Sequence, residues 1–181
     1  MVNAAMHTSI FLVGPRCCGK TTLAGLLARR FGLSCLDTDA ILTAEAGMSV
    51  AEIVAFEGWE GFRQRESRAL AAAAVSGAVV ATGGGAVLDP RNRALMRASG
   101  LVIRLDAPAA VLAERLARDR ERGVARPSLA PCLAEDPEQE MARILAEREP
   151  LYRECAHWSV DASLPPQAVL EAVSAFLEQR I

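Results

Sequence analysis

The stretch GPRCCGKTT, Gly14 to Thr22, has the residue types and the spacing that bind a chain of phosphates. Two glycines let the backbone curl so that successive N–H groups point at one anion, and a helix beginning after the second glycine adds its dipole. Lys20 brings a positive charge to the β- and γ-phosphates, and the Thr21 hydroxyl can ligate Mg²⁺. We therefore predict a site for the phosphates of ATP. Its residues are Gly14, Pro15, Arg16, Cys17, Cys18, Gly19, Lys20, Thr21 and Thr22.

The alternative explanation of this stretch is an ordinary glycine-rich turn between a strand and a helix. It is disfavoured because the glycine spacing, the Lys20-Thr21 pair and the flanking pattern all agree with a phosphate-binding loop. Cys17 and Cys18 occupy loop positions where small residues fit. Cys17 is expected to be strained if its backbone needs a positive φ.

Two carboxylates follow the second predicted strand, where Asp37 and Asp39 stand in the sequence DTD. Side chains at the carboxyl end of a parallel strand face the ligand crevice of an open sheet. The two groups can divide the work, one serving Mg²⁺ through water and the other a hydroxyl group. The alternative role for either aspartate is to cap a helix.

Three glycines in the sequence ATGGGAV follow the third predicted strand, at Gly83, Gly84 and Gly85. Such a run suits a backbone that must approach a ligand closely. A flexible turn is the alternative.

Three arginines complete the set of candidate ligand-binding residues: Arg63 in GFRQRES, Arg126 in ARPSL and Arg148 in EREPLY. Guanidinium groups grip carboxylates and phosphates bidentately. Each arginine alone could be surface charge, so the prediction depends on their combination with the other motifs.

Elements that would position these residues alternate along the chain. Strands are predicted at 9–13, 34–36, 78–81, 101–105 and 157–161, and helices at 20–31, 50–74, about 108–118, from 137 onward and 166–179. Ser49 and Glu52 form a capping-box pattern, and Gly58 and Gly61 are expected to break the second helix in two. Strands that alternate with helices predict an α/β fold with a parallel sheet covered on both faces.

One segment, residues 119–135, fits neither a helix nor a strand. It is charged and holds two prolines in the sequence DRERGVARPSLAPCLAE. An irregular segment of that length inside a compact domain is usually functional, and a lid that carries Arg126 to the phosphates is the prediction.

Composition narrows the function further. The chain has 181 residues, which suggests one domain, and a net charge of −2, which gives no bulk attraction to nucleic acid or to an anionic membrane. Its five cysteines are irregularly spaced, and with no signal-peptide pattern this predicts reduced thiols in the cytoplasm. The longest apolar run, 69–81, is shorter than the ~20 residues of a membrane helix.

The motifs GPRCCGKTT, DTD, GFR, TGGG, RPSL and REPLY follow the order and approximate spacing found in shikimate kinases. The chain resembles that family from about Ser9 to Asp161. Phosphate loops are common, but the glycine triplet, the RP pair and the R-x-P-L-Y element together are specific. The stretch REPLYRECAH and the longer lid are similar to the type II bacterial form.

The resemblance implies a P-loop NTPase fold of three layers, like that of nucleoside monophosphate kinases, with a five-stranded parallel sheet. It places substrate-binding helices at about 38–74 and a lid at about 119–135 within one domain, 1–181. The implied reaction transfers the γ-phosphate of ATP to the 3-hydroxyl of shikimate, with Mg²⁺ as cofactor, in the pathway to aromatic amino acids. A cytoplasmic monomer is expected.

On the nucleotide side, the resemblance implies that Lys20 and the loop amides bind the ATP phosphates. It implies that Thr21 and Asp37 hold Mg²⁺ and that Arg126 is the lid arginine that reaches the phosphates. Cys17 stands where the family commonly has glycine. The arginine that contacts adenine is left open among Arg115, Arg118 and Arg120.

On the acceptor side, the resemblance makes Asp39 the residue that receives the shikimate hydroxyls and the candidate base. Arg63 and Arg148 would clamp the carboxylate of shikimate. The backbone of Gly83, Gly84 and Gly85 would contact the substrate.

Two other functions compete with this interpretation. Another small-metabolite kinase of the same fold, such as a gluconate kinase, would share the loop and the lid but not the pair Arg63 and Arg148 beside the glycine triplet. A non-catalytic nucleotide-binding module would need no acceptor base, so Asp37, Asp39 and the lid arginine argue against it.

Overall fold

The computed structural model of the chain describes residues 8–122 and 136–180. Within them, five parallel strands form one sheet in the order β2-β3-β1-β4-β5. They are β1 (Ser9–Val13), β2 (Ser34–Asp37), β3 (Ala78–Ala81), β4 (Gly100–Asp106) and β5 (Trp158–Asp161). The predicted parallel sheet is confirmed, with β1 at its centre.

Seven helices surround this sheet in the described part of the chain. They are α1 (Lys20–Phe31), α2 (Thr38–Ala46), α3 (Val50–Ala73), α4 (Pro90–Ser99), α5 (Ala109–Glu121), α6 (Pro137–Cys155) and α7 (Pro166–Glu178). None of the described helices is both long enough and apolar enough to cross a membrane.

The central strand β1 is buried on both faces, which is why it is apolar throughout. Successive strand side chains point to opposite faces. Ile10 and Leu12 therefore join a core formed with α1, α5 and α7, whereas Phe11 and Val13 join one formed with α3, α4 and α6. The two cores hold the sheet rigid, so its carboxyl edge can present a site.

Helix α3 begins at the predicted capping box. The Ser49 N–H donates to the Glu52 carboxylate over 2.7 Å, and the Glu52 N–H donates to the Ser49 hydroxyl over 3.3 Å. The prediction of a break is correct at Gly58, which has φ 69° and ψ −179°, and wrong at Gly61, which stays helical. The single kink separates residues 50–57 from the part of α3 that carries Trp59 and Arg63.

Helix α4 was not predicted. Its sequence, PRNRALMRAS, is mostly polar and lacks an apolar period, although Met96 on it is fully buried. Its start nevertheless carries the signal that marks α6. Asp89 and Asp136 cap the two helices, each with proline in the first turn.

Helix α5 continues to Glu121, so the prediction that the irregular segment begins at Asp119 is wrong by one helical turn. Leu112 and Leu116 bury one face of this helix, and Arg118 pairs with Glu114 at i,i+4 on its exposed surface. The rest of the predicted lid, with Arg126, lies outside the described residues.

Candidate active site

The loop between β1 and α1 has the left-handed conformations that its glycines were expected to supply. Gly14 has φ 147° and Gly19 has φ 95°. A Cβ on Gly14 would also lie 2.5 Å from the Leu105 carbonyl oxygen, so only glycine fits there. Cys17 has φ 62°, which confirms the strain predicted for it, and such strain is commonly found at ligand clamps.

Lys20 is nearly buried, and its amine is held by the loop itself. The amine donates to the carbonyl oxygens of Gly14 over 2.9 Å and Pro15 over 2.6 Å. It is the single lysine of the chain. The charge therefore lies inside the curl of the loop.

Thr21 and Asp37 are brought together at the start of α1. The Thr21 hydroxyl donates to Oδ2 of Asp37 over 2.7 Å. Oδ1 of the same carboxylate accepts the N–H groups of Asp39, over 2.9 Å, and Ala40, over 3.3 Å. Asp37 thus caps α2 and lies against the first turn of α1, so the capping role weighed for it is confirmed, and its role toward Mg²⁺ stays a prediction.

Asp39 lies in the first turn of α2, against the glycine triplet. A Cβ on Gly83 would lie 2.9 Å from Oδ1 of Asp39 and 2.5 Å from Oε1 of Glu66. The N–H of Gly83 donates to the buried Thr38 hydroxyl over 2.9 Å. The absence of a side chain at Gly83 is what lets the two carboxylates approach this turn.

Arg63 pairs with Glu66 one helical turn later, with 2.6 Å between Nη1 and Oε2. Glu66 is 2% exposed. Burial raises the pKa of the Glu66 carboxyl, while the charge and the hydrogen bond of Arg63 act in the opposite direction. The pair orients the Arg63 guanidinium beside Gly85.

Two aromatic rings complete the surroundings of Arg63. Its Cζ lies 5.6 Å from the ring centroid of Trp59 and 5.2 Å from that of Phe62. The two rings meet edge to face at 5.8 Å. Cation–π contacts of this kind restrict the guanidinium, and they place Trp59 in the same segment as Arg63.

Arg148 and Tyr152 approach the glycine triplet from α6. Nη1 of Arg148 donates to the Gly84 carbonyl oxygen over 3.1 Å, and the Tyr152 hydroxyl donates to the same oxygen over 2.6 Å. Arg148 is 8% exposed and Tyr152 is 1% exposed. Arg148 thus contacts Gly84 although the two residues are 64 positions apart in the chain.

A cavity of about 850 Å³ runs from the phosphate loop to these arginines. Gly14, Pro15 and Gly83 do not line it: the first two supply carbonyls to Lys20, and the third packs behind Asp39. The predicted residues that do line it are Arg16, Cys17, Cys18, Gly19, Lys20, Thr21, Thr22, Asp37, Asp39, Arg63, Gly84, Gly85 and Arg148.

The three arginines considered for adenine differ in whether they line the cavity. Arg115 and Arg118 line it, whereas Arg120 does not. Arg115 donates weakly to the carbonyls of Cys17, over 3.5 Å, and Ser163, over 3.4 Å. It therefore bridges the phosphate loop and the segment after β5.

Three residues of the site were missed from the sequence: Thr38, Glu66 and Tyr152. Glu66 carried a usable signal, because an acid three residues after Arg63 on a helix is a normal pairing distance. Thr38 and Tyr152 stand inside the DTD and REPLY motifs, but nothing in the sequence indicated their partners, which lie 45 and 68 residues away in the chain.

Several known proteins are similar to this chain over most of its length. The family model described as shikimate kinase matches residues 16–178. Shikimate kinase 2 of Yersinia enterocolitica is 51% identical over 168 residues, which are 93% of this chain and 94% of that protein. The chain belongs to the shikimate kinase family. The solved structure of the shikimate kinase from Acinetobacter baumannii in complex with shikimate matches 96% of this chain and 95% of its own, with a TM-score of 0.82 and 32% identity.

A more distant structural similarity concerns the alternative interpretation of the chain as a gluconate kinase. A gluconokinase from Sinorhizobium meliloti covers 96% of this chain and 93% of its own, with a TM-score of 0.54 and 18% identity. That likeness shows the common fold alone. The family assignment therefore favours the shikimate kinases over the gluconate kinases.

Proposed function

We propose that this member of the shikimate kinase family transfers the γ-phosphate of ATP to the 3-hydroxyl of shikimate. The observation that carries the proposal is one cavity with a phosphate loop at one end and Asp39, Arg63 and Arg148 at the other. A single space of this kind can hold a nucleotide and a small carboxylate next to each other.

The nucleotide end provides positive charge and N–H groups for the phosphates. Lys20 now donates to two loop carbonyls, and it would exchange one of them for a phosphate oxygen when ATP enters. Arg115 is the arginine we place beside adenine, because it lines the cavity next to the loop.

The residues Thr21 and Asp37 fit a magnesium ion. Both present oxygen atoms, which Mg²⁺ prefers, and the described residues hold no cluster of three or more acidic, histidine or cysteine side chains elsewhere. Sites of this type use one or two protein oxygens together with substrate phosphates. When bound, the ion would neutralise charge on the phosphates.

The acceptor end provides a carboxylate clamp and a base. Arg63 and Arg148 would grip the carboxylate of shikimate, and Asp39 would accept hydrogen bonds from its hydroxyls. In the transfer, the 3-hydroxyl oxygen attacks the γ-phosphorus, its proton passes to Asp39, and the bond to the β-γ bridging oxygen breaks to release ADP. Arg126 would meet the charge that develops in this step.

The decisive experiment is a coupled assay of ADP release. The proposal expects release that depends on added shikimate and is absent with gluconate. Release with gluconate alone would favour the competing kinase, and ATP binding with no release on either compound would favour a binding module.

An Arg126→Ala variant tests the lid. We expect kcat to fall far more than nucleotide affinity, because a group that acts on developing charge contributes mainly to the transition state. A change confined to KM for ATP would make Arg126 an anchor for the bound nucleotide instead.

A cytoplasmic monomer belongs to the same proposal. The described cysteines 17, 18, 35 and 155 are thiols rather than disulfides, and thiols of this kind are typical of a reducing compartment. Sedimentation of the purified protein would test the oligomeric state.

A further inference from the structure

The Gly84 carbonyl oxygen accepts two hydrogen bonds from one face of α6. Arg148 and Tyr152 are four residues apart and therefore share that face. Both donate to this oxygen, Tyr152 over 2.6 Å and Arg148 over 3.1 Å. A carbonyl oxygen has two lone pairs and can accept both bonds at once. The substrate-facing arginine thus shares its acceptor with a buried hydroxyl.

The turn that carries this oxygen is wedged between α6 and the phosphate loop. A Cβ on Gly84 would lie 3.3 Å from the backbone nitrogen of Arg16 and 3.5 Å from the Gly14 oxygen. The neighbouring Gly83 N–H is bound to the Thr38 hydroxyl. The bonds from α6 therefore fix the side of the turn that Thr38 does not hold.

We propose that Tyr152 is a positioning residue that holds the Gly84 carbonyl while Arg148 turns to the carboxylate of the acceptor. This inference rests on the proposed function. Without the hydroxyl, Arg148 is the side chain left to satisfy a partly buried carbonyl, and its departure would leave that oxygen without its donors from α6. With the hydroxyl, the arginine moves at little cost and the turn stays in place.

The surroundings of Tyr152 suit this role. Its ring packs in the core with Phe11, Val13 and Met96, so the hydroxyl is held on a rigid support. Burial raises the pKa of the phenol above its usual value, which keeps the hydroxyl protonated and able to donate.

A Tyr152→Phe variant removes the hydroxyl and keeps the ring. We expect KM for shikimate to rise about tenfold, with kcat and KM for ATP within twofold of the wild type, because the loss falls on acceptor binding. Ser9→Ala is the matched control. It removes another buried hydroxyl, which donates to the Val75 carbonyl over 2.8 Å far from the cavity. An unchanged KM for shikimate in Tyr152→Phe would overturn the proposal.

A double-mutant cycle with Arg148→Ala separates positioning from general destabilisation. In the Arg148→Ala background no guanidinium has to leave the Gly84 carbonyl. Tyr152→Phe should therefore change KM for shikimate less than twofold in that background. A full tenfold effect there would contradict the proposal. If the wild type itself shows no shikimate-dependent ADP release, the proposed function fails rather than this inference.

A second measurement needs no substitution. Tyr152 is the single tyrosine of the chain, so 3-fluorotyrosine incorporation places one ¹⁹F signal at this position. Shikimate should shift that signal as Arg148 leaves the shared carbonyl. A signal that stays unchanged at saturating shikimate would refute the movement of Arg148.

Discussion

Gly85→Ala tests the placement of Arg63 without altering Arg63 itself. Gly85 has φ −102° and ψ −1°, a conformation that alanine adopts freely. A Cβ at this position would fall on the Arg63 guanidinium, with Cζ and Nη2 both 2.5 Å away and Nη1 in contact. The substitution must therefore displace the guanidinium.

The magnitude follows from what the displaced group does. A long side chain moves more easily than backbone, so the fold should tolerate the change and the loss should fall on ligand binding. A charge-assisted hydrogen bond contributes about 1.5–3 kcal/mol. At about 1.4 kcal/mol per factor of ten, we expect kcat/KM for shikimate to fall by about 10- to 150-fold.

The assay is steady-state ADP release with each substrate varied in turn. KM for ATP should stay within twofold, because the three atoms nearest to the new methyl group all belong to Arg63 and not to the phosphate loop. Gly25→Ala in α1 is the control, since a Cβ there meets no atom within 4 Å. Unchanged kcat/KM for shikimate, or an equal loss of ATP affinity, would refute the placement of Arg63 at the acceptor end.

Three further predictions concern single residues. Asp39→Asn should lower kcat by ~10²–10⁴-fold and leave ATP affinity measured by calorimetry unchanged; near-normal turnover would remove Asp39 from the mechanism. In Trp158→Phe, shikimate should change the fluorescence of Trp59 saturably, and a flat signal despite calorimetric binding would place Trp59 outside the site. Partial desolvation lowers the pKa of His157, whose Nδ1 accepts the Val102 N–H. Because the unfolded chain then binds a proton more readily than the folded one, the free energy of unfolding should fall as pH drops below about 6.5. His157→Asn should reduce that slope in urea titrations, and an unchanged slope would assign it to other groups.

Tryptophan fluorescence can be interpreted because the two tryptophans lie in different surroundings. Trp59 lines the cavity beside Arg63, whereas Trp158 stacks on Phe176 at 4.3 Å between β5 and α7. The second ring is partly buried against the core and should report little of the acceptor.

Much of the fold was predictable because it depends on local pattern. β1, α1 and β3 have their predicted bounds, and the capping box at Ser49 starts α3 as expected. Apolar runs and caps act over a few residues, so they can be read directly. Helix α4 was missed because few of its residues are buried, and one of them, Asn92, is polar, so its sequence shows no apolar period.

The sequence by itself determined the phosphate loop and the chemical types of the acceptor site. A loop that binds through its own backbone needs only its glycines, Lys20 and Thr21, all within one short stretch. The order of the later motifs likewise indicated the family. Interactions between residues close in sequence can be predicted from that stretch of sequence alone.

Only the tertiary structure decided which partner holds each of these groups. Tyr152 and Arg148 meet Gly84 across 68 and 64 residues, and Thr38 meets Gly83 across 45. Such contacts arise because parallel strands end at one edge of the sheet and α6 packs across that edge. No local pattern encodes a distance between elements, so the shared carbonyl at Gly84 becomes visible only when the sheet and α6 are packed together.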